Sequence, residues 1–203
     1  MGLRGWLKPH IQDWAMASVA KLRPSAVESA SGDVLEIGFG TGLNLEHYGP
    51  EVQSLHGIDP MVTEGVAKVD ARIEKATFPV KRVALRGDGV LPFDSNQFDS
   101  VVTTWTLCSI PDANAALREM LRVLKPRGRY YFIEHGRSRE PRVMQLQDRI
   151  NPTWRRFADG CNINRQIDEV VEAGGFELAS MEEFLGKGPK FVSTFYRGVG
   201  VKN

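Results

Sequence analysis

The sequence predicts an α/β fold: a seven-stranded mixed sheet with helices on both faces, in one domain. Apolar runs bounded by turn residues alternate with stretches of helical periodicity, the pattern of parallel strands joined by crossover helices. The apolar segment Val34-Leu35-Glu36-Ile37 runs straight into glycines at 38, 40 and 42, and Gly57-Ile58-Asp59 follows about 20 residues later, a pairing that serves nucleoside cofactors. Near the carboxyl end, two apolar runs flank Gly186-Lys187-Gly188-Pro189, a linker suited to a hairpin, so the sheet finishes antiparallel.

Each element has its own signal. Ile11, Trp14, Ala15, Val19 and Leu22 keep helical spacing, which predicts an amphipathic helix over residues 10–22. Residues 1–32 are then an N-terminal helical segment covering the site, and residues 33–203 the domain itself. The first strand spans 33–38 and the second 54–59, after a short helix opened by the glycine loop. Val62, Val66, Val69 and Ile73 predict a helix over 61–75. The third strand runs from Arg82 to Arg86 and ends at Gly87-Asp88-Gly89. The turn-rich stretch from Pro92 to Gln97 introduces the fourth, Phe98 to Thr103. Asp112, behind Pro111, is placed to cap a helix whose apolar stripe is Leu117, Met120, Leu121 and Leu124, and Pro126 stops it. Consecutive Tyr130-Tyr131-Phe132-Ile133 in a fifth strand, Arg129 to Glu134, implies burial on both faces. A long Arg-bearing helix over about 140–158 and another around 164–173, ended by Gly174-Gly175, precede the last strands, Phe176 to Leu185 and Phe191 to Val201.

Composition narrows the function. A chain of 203 residues that is 42% hydrophobic can bury a core as one unit, and a net charge of +1 argues against nucleic acid as a partner. Two cysteines are too few for a disulfide framework, and the first ten residues carry no cleavage pattern. No run reaches the roughly 18 apolar residues of a membrane span. The expectation is a cytoplasmic protein, monomer or homodimer, without a transmembrane segment. Peripheral membrane contact through the N-terminal helix stays open.

In such sheets the ligand lies beyond the carboxyl ends of the strands, where strand order reverses. The residues gathered there are Gly38, Phe39, Gly40, Thr41 and Gly42, then Asp59 with Pro60, then Gly87, Asp88 and Gly89, then Thr104, Trp105 and Thr106, and finally Glu134 and His135. Glycines let the backbone approach a ligand without Cβ collision, and N–H groups of the helix opening near Thr41 suit a carboxylate. Asp59 can accept from both ribose hydroxyls, and Asp88 from an adenine amino group unless it is a plain turn aspartate. Glu36, inside a strand, either braces the glycine loop or meets a cofactor ammonium group through water, unless it is a partly exposed strand-end carboxylate.

The glycine spacing separates cofactors. A dinucleotide fingerprint needs glycine at the sixth position, where this chain has Leu43; G-x-G-x-G resembles class I S-adenosylmethionine (SAM) methyltransferases. Leu35 to Gly42, Phe98-Asp99-Ser100-Val101-Val102 and Leu121-Arg122-Val123-Leu124-Lys125-Pro126 carry that resemblance over residues 33–135. Leu107-Cys108-Ser109-Ile110, Phe132-Ile133-Glu134-His135, Pro152-Thr153-Trp154 and Asp159-Gly160-Cys161-Asn162 resemble, more narrowly, the methyltransferase-like thiol S-methyltransferase family. The resemblance implies a Rossmann-like sheet with strand seven antiparallel, SAM as cofactor, S-adenosylhomocysteine as product and a small-molecule methyl acceptor. The chain departs from the family in having no hydrophobic anchor, so membrane association does not carry over. It has Phe39 where a small residue or cysteine is usual, and Pro126-Arg127-Gly128 where Pro-Gly-Gly is usual, which asks Arg127 for a less forgiving backbone conformation.

Methyl transfer asks mainly for alignment, and a thiol acceptor asks for only a modest base. His135 is the candidate base, or else a structural histidine bonded to a carbonyl. Asp159 either orients it or caps the helix that follows Cys161. Cys108 and Cys161 lack metal-ligand spacing with histidines and read as small buried packing residues, so no metal is expected. Trp105 and Trp154 line either an acceptor pocket or the core. Arg137, Arg139, Arg142, Arg149, Arg155 and Arg156 form either a solvated helix face or a surface for an anionic acceptor or lipid. The acceptor is a thiol, or alternatively an O-, N- or C-nucleophile of natural-product, quinone-like or lipid type. An NAD-dependent oxidoreductase, disfavoured by Leu43 and the closing hairpin, and a non-catalytic SAM-binding subunit are the remote alternatives.

Overall fold

In a computed structural model, the structure describes residues 17–59, 66–85 and 89–203. Seven strands form one sheet in the order β3-β2-β1-β4-β5-β7-β6. They are β1 (Gly32–Ile37), β2 (Val52–Asp59), β3 (Val80–Ala84), β4 (Phe98–Thr104), β5 (Leu124–His135), β6 (Glu177–Leu185) and β7 (Thr194–Val201). The first five are parallel, and β7 runs antiparallel to both β5 and β6. The mixed sheet with an antiparallel seventh strand is as expected. Strand order reverses between β1 and β4, which puts the ligand crevice at their carboxyl ends.

Alternation along the central strands fills both faces. Leu35, Ile37, Val101, Tyr130 and Phe132 pack on one side with helices α3 (Ala113–Val123) and α5 (Ile167–Ala173). Val34, Val102, Tyr131 and Ile133 pack on the other with α1 (Pro24–Val27) and α2 (Ala67–Glu74). The two-sided burial expected of Tyr130 to Ile133 is therefore met. Asp112 caps α3 by accepting from the Ala115 N–H at 2.9 Å, and Leu117, Met120 and Val123 form its buried stripe.

Several boundaries differ. Of the helix expected over 10–22, residues 10–16 lie outside the described residues; Ala17–Leu22 is a 3-10 helix. Part of the 61–75 helix also lies outside them. The glycine loop opens only a 3-10 turn, Leu45–His47. Strand β5 begins at Leu124, five residues early, because Leu124 pairs with Phe98 before the register slips between Phe98 and Ser100. Pro126 and Arg127 occupy that slip, and Arg127 takes φ +67°, the left-handed conformation expected where the second residue of a Pro-Gly-Gly turn is not glycine. The last strand starts late because residues 190–193 form a helical turn, α6 (Lys190–Ser193), where Thr194 Oγ1 donates to the Lys190 carbonyl at 2.9 Å.

The long helix α4 (Pro141–Phe157) turns Val143, Gln147 and Asn151 inward. Two buried amides on an otherwise arginine-rich helix require partners. Gln147 accepts from the Ser138 N–H at 2.8 Å and donates to the carbonyls of Ile163 (2.9 Å) and Gly136 (3.1 Å). Asn151 accepts from the Ile163 N–H at 3.0 Å. These bonds fasten the loop between α4 and α5 to the end of β5.

Candidate functional site

The turn after β1 is built for close approach. Gly38, Gly40 and Gly42 have φ of +83°, +54° and +74°. A Cβ at Gly38 would stand 1.9 Å from Thr106 Oγ1, so only glycine fits there. The Gly38 and Phe39 N–H groups both donate to the Ile58 carbonyl (2.8 and 3.1 Å), and the Thr41 carbonyl accepts from Arg72 Nη1 at 2.9 Å. Asp59, at the tip of β2, accepts from the Gly40 N–H at 2.9 Å, which brings the acidic residue and the glycine loop together as expected. The Phe39 ring is buried against Gly57, where a Cβ would lie 2.5 Å from it.

Behind the loop lies a polar network that periodicity could not reveal. Glu36 is 1% exposed, which removes the reading of a partly exposed carboxylate. It accepts from Asn44 Nδ2 at 2.9 Å and from the Tyr48 hydroxyl at 2.8 Å. Burial pushes its carboxyl up to about 7, against the pull of Tyr48, Asn44 and Arg23. Asn44, fully buried, accepts from Arg23 Nη1 at 2.7 Å and donates to Thr104 Oγ1 at 3.0 Å. Glu36 thus braces the turn after the glycines. Arg23 belongs to the N-terminal segment; it also donates to Thr104 (3.3 Å) and stacks 5.0 Å over the Trp105 ring.

The ends of β4 and β5 complete the crevice. Trp105 has φ +52°, an unusual conformation for a bulky residue, and its N–H is held by the Ile133 carbonyl at 2.8 Å. Its ring packs in the core beside Phe195, and among the described residues Nε1 is buried without a hydrogen-bond partner. Glu134, fully buried, accepts three consecutive N–H groups, Thr106 (3.1 Å), Leu107 (2.9 Å) and Cys108 (3.1 Å). That shapes the turn after β4 around the carboxylate. Of the expected residues, Gly89 has φ +76°, while Pro60, Gly87 and Asp88 lie outside the described residues.

His135 closes β5. Its ring leans on Phe195 (4.9 Å between centroids), and Nδ1 lies 4.0 Å from Cys108 Sγ and 3.7 Å from Cys161 Sγ. The two sulfurs are 3.6 Å apart and both cysteines are buried. The Cys161 contact and burial push the Cys108 thiol well up, whereas Cys108 beside it holds the Cys161 thiol down. Sequence spacing gave no sign of this cluster, since its members come from three separate elements. Asp159 stands exposed in the turn after α4 with φ +46°, and the residue capping α5 is Gln166, so Asp159 is not that cap.

The arginines divide. Arg137 makes a two-pronged pair with Asp148 (2.7 Å each), and Arg139 meets Asp168 and Glu183 at 3.2 Å. Arg142, Arg149, Arg155 and Arg156 stand on the exposed face of α4, near Phe157, which is 84% exposed. Among the described residues no helix is long and apolar enough to cross a membrane.

A model described as a methyltransferase domain matches residues 35–132. The chain is 29% identical over 165 residues to the human thiol S-methyltransferase TMT1A, covering 80% of this chain and 67% of that one. It is 33% identical over 135 residues to a demethylmenaquinone methyltransferase of Roseiflexus castenholzii, covering 63% of this chain and 51% of that one. The chain therefore spans about half to two thirds of the length of these relatives. The solved structure of the [4+2]-cyclase SpnF superposes with a TM-score of 0.69 at 20% identity, over 93% of this chain and 81% of that one. That likeness speaks for the fold, and the different activity in its name is a reminder that a fold hosts many reactions. The glycine cradle against Thr106 and the acid of β2 fastened to it fit the amino-acid and ribose ends of SAM. The matched domain, the sheet order and this cradle agree on a chain with the class I methyltransferase fold that is similar over most of its length to SAM-dependent methyltransferases.

Proposed function

We propose that the chain transfers the methyl group of SAM to a small-molecule thiol by in-line displacement. The observation that carries the reading is the cradle at Gly38, beside Asp59, in a chain similar over most of its length to thiol S-methyltransferases. When bound, SAM supplies a methyl carbon on a sulfonium with a good leaving group. The chain's part is then alignment, worth as much as ~7–11 kcal/mol when the geometry is right. Backbone N–H groups near Thr41 take the methionine carboxylate and Asp59 the ribose hydroxyls, with Asp88 at the adenine. Gly89 and the turn Thr104 to Thr106 contribute to the same crevice, and the sequence assigns Pro60 and Gly87 to the same cofactor. Arg23, from the N-terminal segment, reaches Asn44 and Thr104 beside the crevice.

The acceptor sulfur forms its new bond to carbon as the old carbon–sulfonium bond breaks, and S-adenosylhomocysteine leaves. His135 takes the thiol proton. A thiol of pKa near 8.5 is already a few per cent thiolate at neutral pH, so one base suffices. The similarity to a demethylmenaquinone methyltransferase supports a second reading, a quinone-like carbon acceptor. Incubating the protein with SAM and a panel of thiols, quinols, phenols and amines tests both by mass. Methyl gain on thiols is expected, gain on quinols alone moves the acceptor, and no gain anywhere contradicts catalysis. His135→Gln should slow thiol methylation about 10²-fold or more at pH 7. The deficit should shrink as pH rises past the acceptor's own pKa; a pH-independent deficit would make His135 structural.

A further inference from the structure

Cys108, His135 and Cys161 stand 27 and 26 residues apart in sequence and meet at the carboxyl ends of β4 and β5. Among the described residues they are a group of ligand-bearing side chains close enough to hold one metal ion. We propose that these three form a zinc-binding site, with a fourth position available to an external sulfur ligand.

The distances argue for it. Zinc bonds of ~2.3 Å to sulfur and ~2.0 Å to nitrogen, at tetrahedral angles, set sulfur–sulfur at ~3.8 Å and sulfur–nitrogen at ~3.5 Å. The observed separations are 3.6 Å between the sulfurs and 3.7 and 4.0 Å to Nδ1. An ion would therefore seat with shifts of a few tenths of an ångström. A disulfide, with sulfurs ~2.05 Å apart, would need them about 1.5 Å closer than they are. Two thiolates and one imidazole are also the donor set of a three-ligand zinc site that keeps a place for substrate.

The surroundings hold the ligands in place, as outer partners do at metal sites. Glu134 fixes the Cys108 N–H at 3.1 Å, and the Cys108 carbonyl accepts from both the backbone N–H (2.9 Å) and Nδ2 (3.0 Å) of Asn162. The Cys161 N–H is tied to the Ala158 carbonyl at 2.9 Å. Arg165, reaching the carbonyls of Leu107 and Ile110, clamps the turn that carries Cys108. Trp154 packs beside the cysteines with its indole N–H buried and, among the described residues, without a hydrogen-bond acceptor, a donor available to a thiolate. The half-buried His135 leaves a side of the cluster reachable from solvent.

The use of the site rests on the thiol reading. A thiol taken as fourth ligand gives its proton to solvent and is held as thiolate on the ion, so coordination replaces His135 as the means of deprotonation. In that state Nδ1 is a ligand and no longer a base.

The test is uptake by the whole reduced chain, stripped with chelator and then titrated. Zinc is expected at one ion per chain by elemental analysis. Cadmium should give a thiolate-to-metal charge-transfer band that saturates at the same ratio. Cys108→Ser and Cys161→Ser should each weaken that band, and the double substitution abolish it. His135→Ala should keep the band but bind about 10-fold or more weaker. No stoichiometric uptake by the wild-type chain would overturn the proposal, as would a band that survives the double substitution. A Cys108–Cys161 disulfide whose reduction restores no metal binding would overturn it too. Calorimetry with SAM, run in parallel, separates the two readings. Zinc uptake without SAM binding sinks the methyl-transfer reading alone, and SAM binding without zinc uptake sinks only the metal site.

Discussion

A carboxylate buried behind the glycine loop makes this protein's stability sensitive to pH. Glu36 titrates near 7 in the fold instead of 4.5, chiefly because burial penalises its charge. The folded chain thus holds that proton more tightly than the unfolded chain. The resulting stabilisation is complete below about pH 4.5 and is lost as pH climbs through about 7, on the order of 3 kcal/mol from this one group. Glu36→Gln should flatten the fall in melting temperature between pH 5 and 8; an unchanged slope would place the titration elsewhere. At Gly38 the argument is steric. Ala there meets Thr106 and a backbone at φ +83°, so Gly38→Ala should cost roughly 1–3 kcal/mol and remove SAM binding. Normal affinity in a normally stable variant would take the cradle away from this loop.

At the scale of elements, the parts that periodicity describes were legible in the sequence. Strands with residues buried on both faces, the Asp112 cap and the closing antiparallel strand all follow from local pattern. The left-handed Arg127 follows instead from the family resemblance, as the departure of Pro126-Arg127-Gly128 from the usual Pro-Gly-Gly turn. What escaped was set by tertiary partners. The helical turn at residues 190–193 depends on hydroxyl bonds back to its own first residues, and the early start of β5 depends on a register slip. Helix α4 reads as arginine-rich, yet its buried amides decide what it holds. Gln147→Leu would strand the Ser138 N–H and the Ile163 carbonyl, costing about 1–3 kcal/mol and loosening the loop that carries Cys161. Asp112→Ala, by contrast, should cost only about 1 kcal/mol and leave that loop alone. Denaturant unfolding gives both costs, and hydrogen exchange at residues 158–165 distinguishes them.

For the whole molecule, the sheet supplies a reversal point between β1 and β4, and the site collects there from every layer. The glycine loop and Asp59 were legible because a nucleoside cradle has a fixed spacing along the chain. Arg23, Asn44 and Tyr48 were not, because their roles arise from burying Glu36 among residues 8 to 13 positions away or in a different segment. The cluster of Cys108, His135 and Cys161 was hidden for the same reason, its members meeting only once β4, β5 and the α4–α5 loop are assembled. Phe39 shows the opposite case, a loop residue whose ring belongs to the core. We propose that this assembly grips SAM at the tips of β1 and β2. Calorimetric titration of the folded chain with SAM, set against the same titration of Asp59→Ala, addresses it most directly. The wild-type chain should bind one equivalent with a dissociation constant on the order of micromolar and the variant at least ~10-fold more weakly; no heat from the wild type, or equal affinities for both, would contradict it.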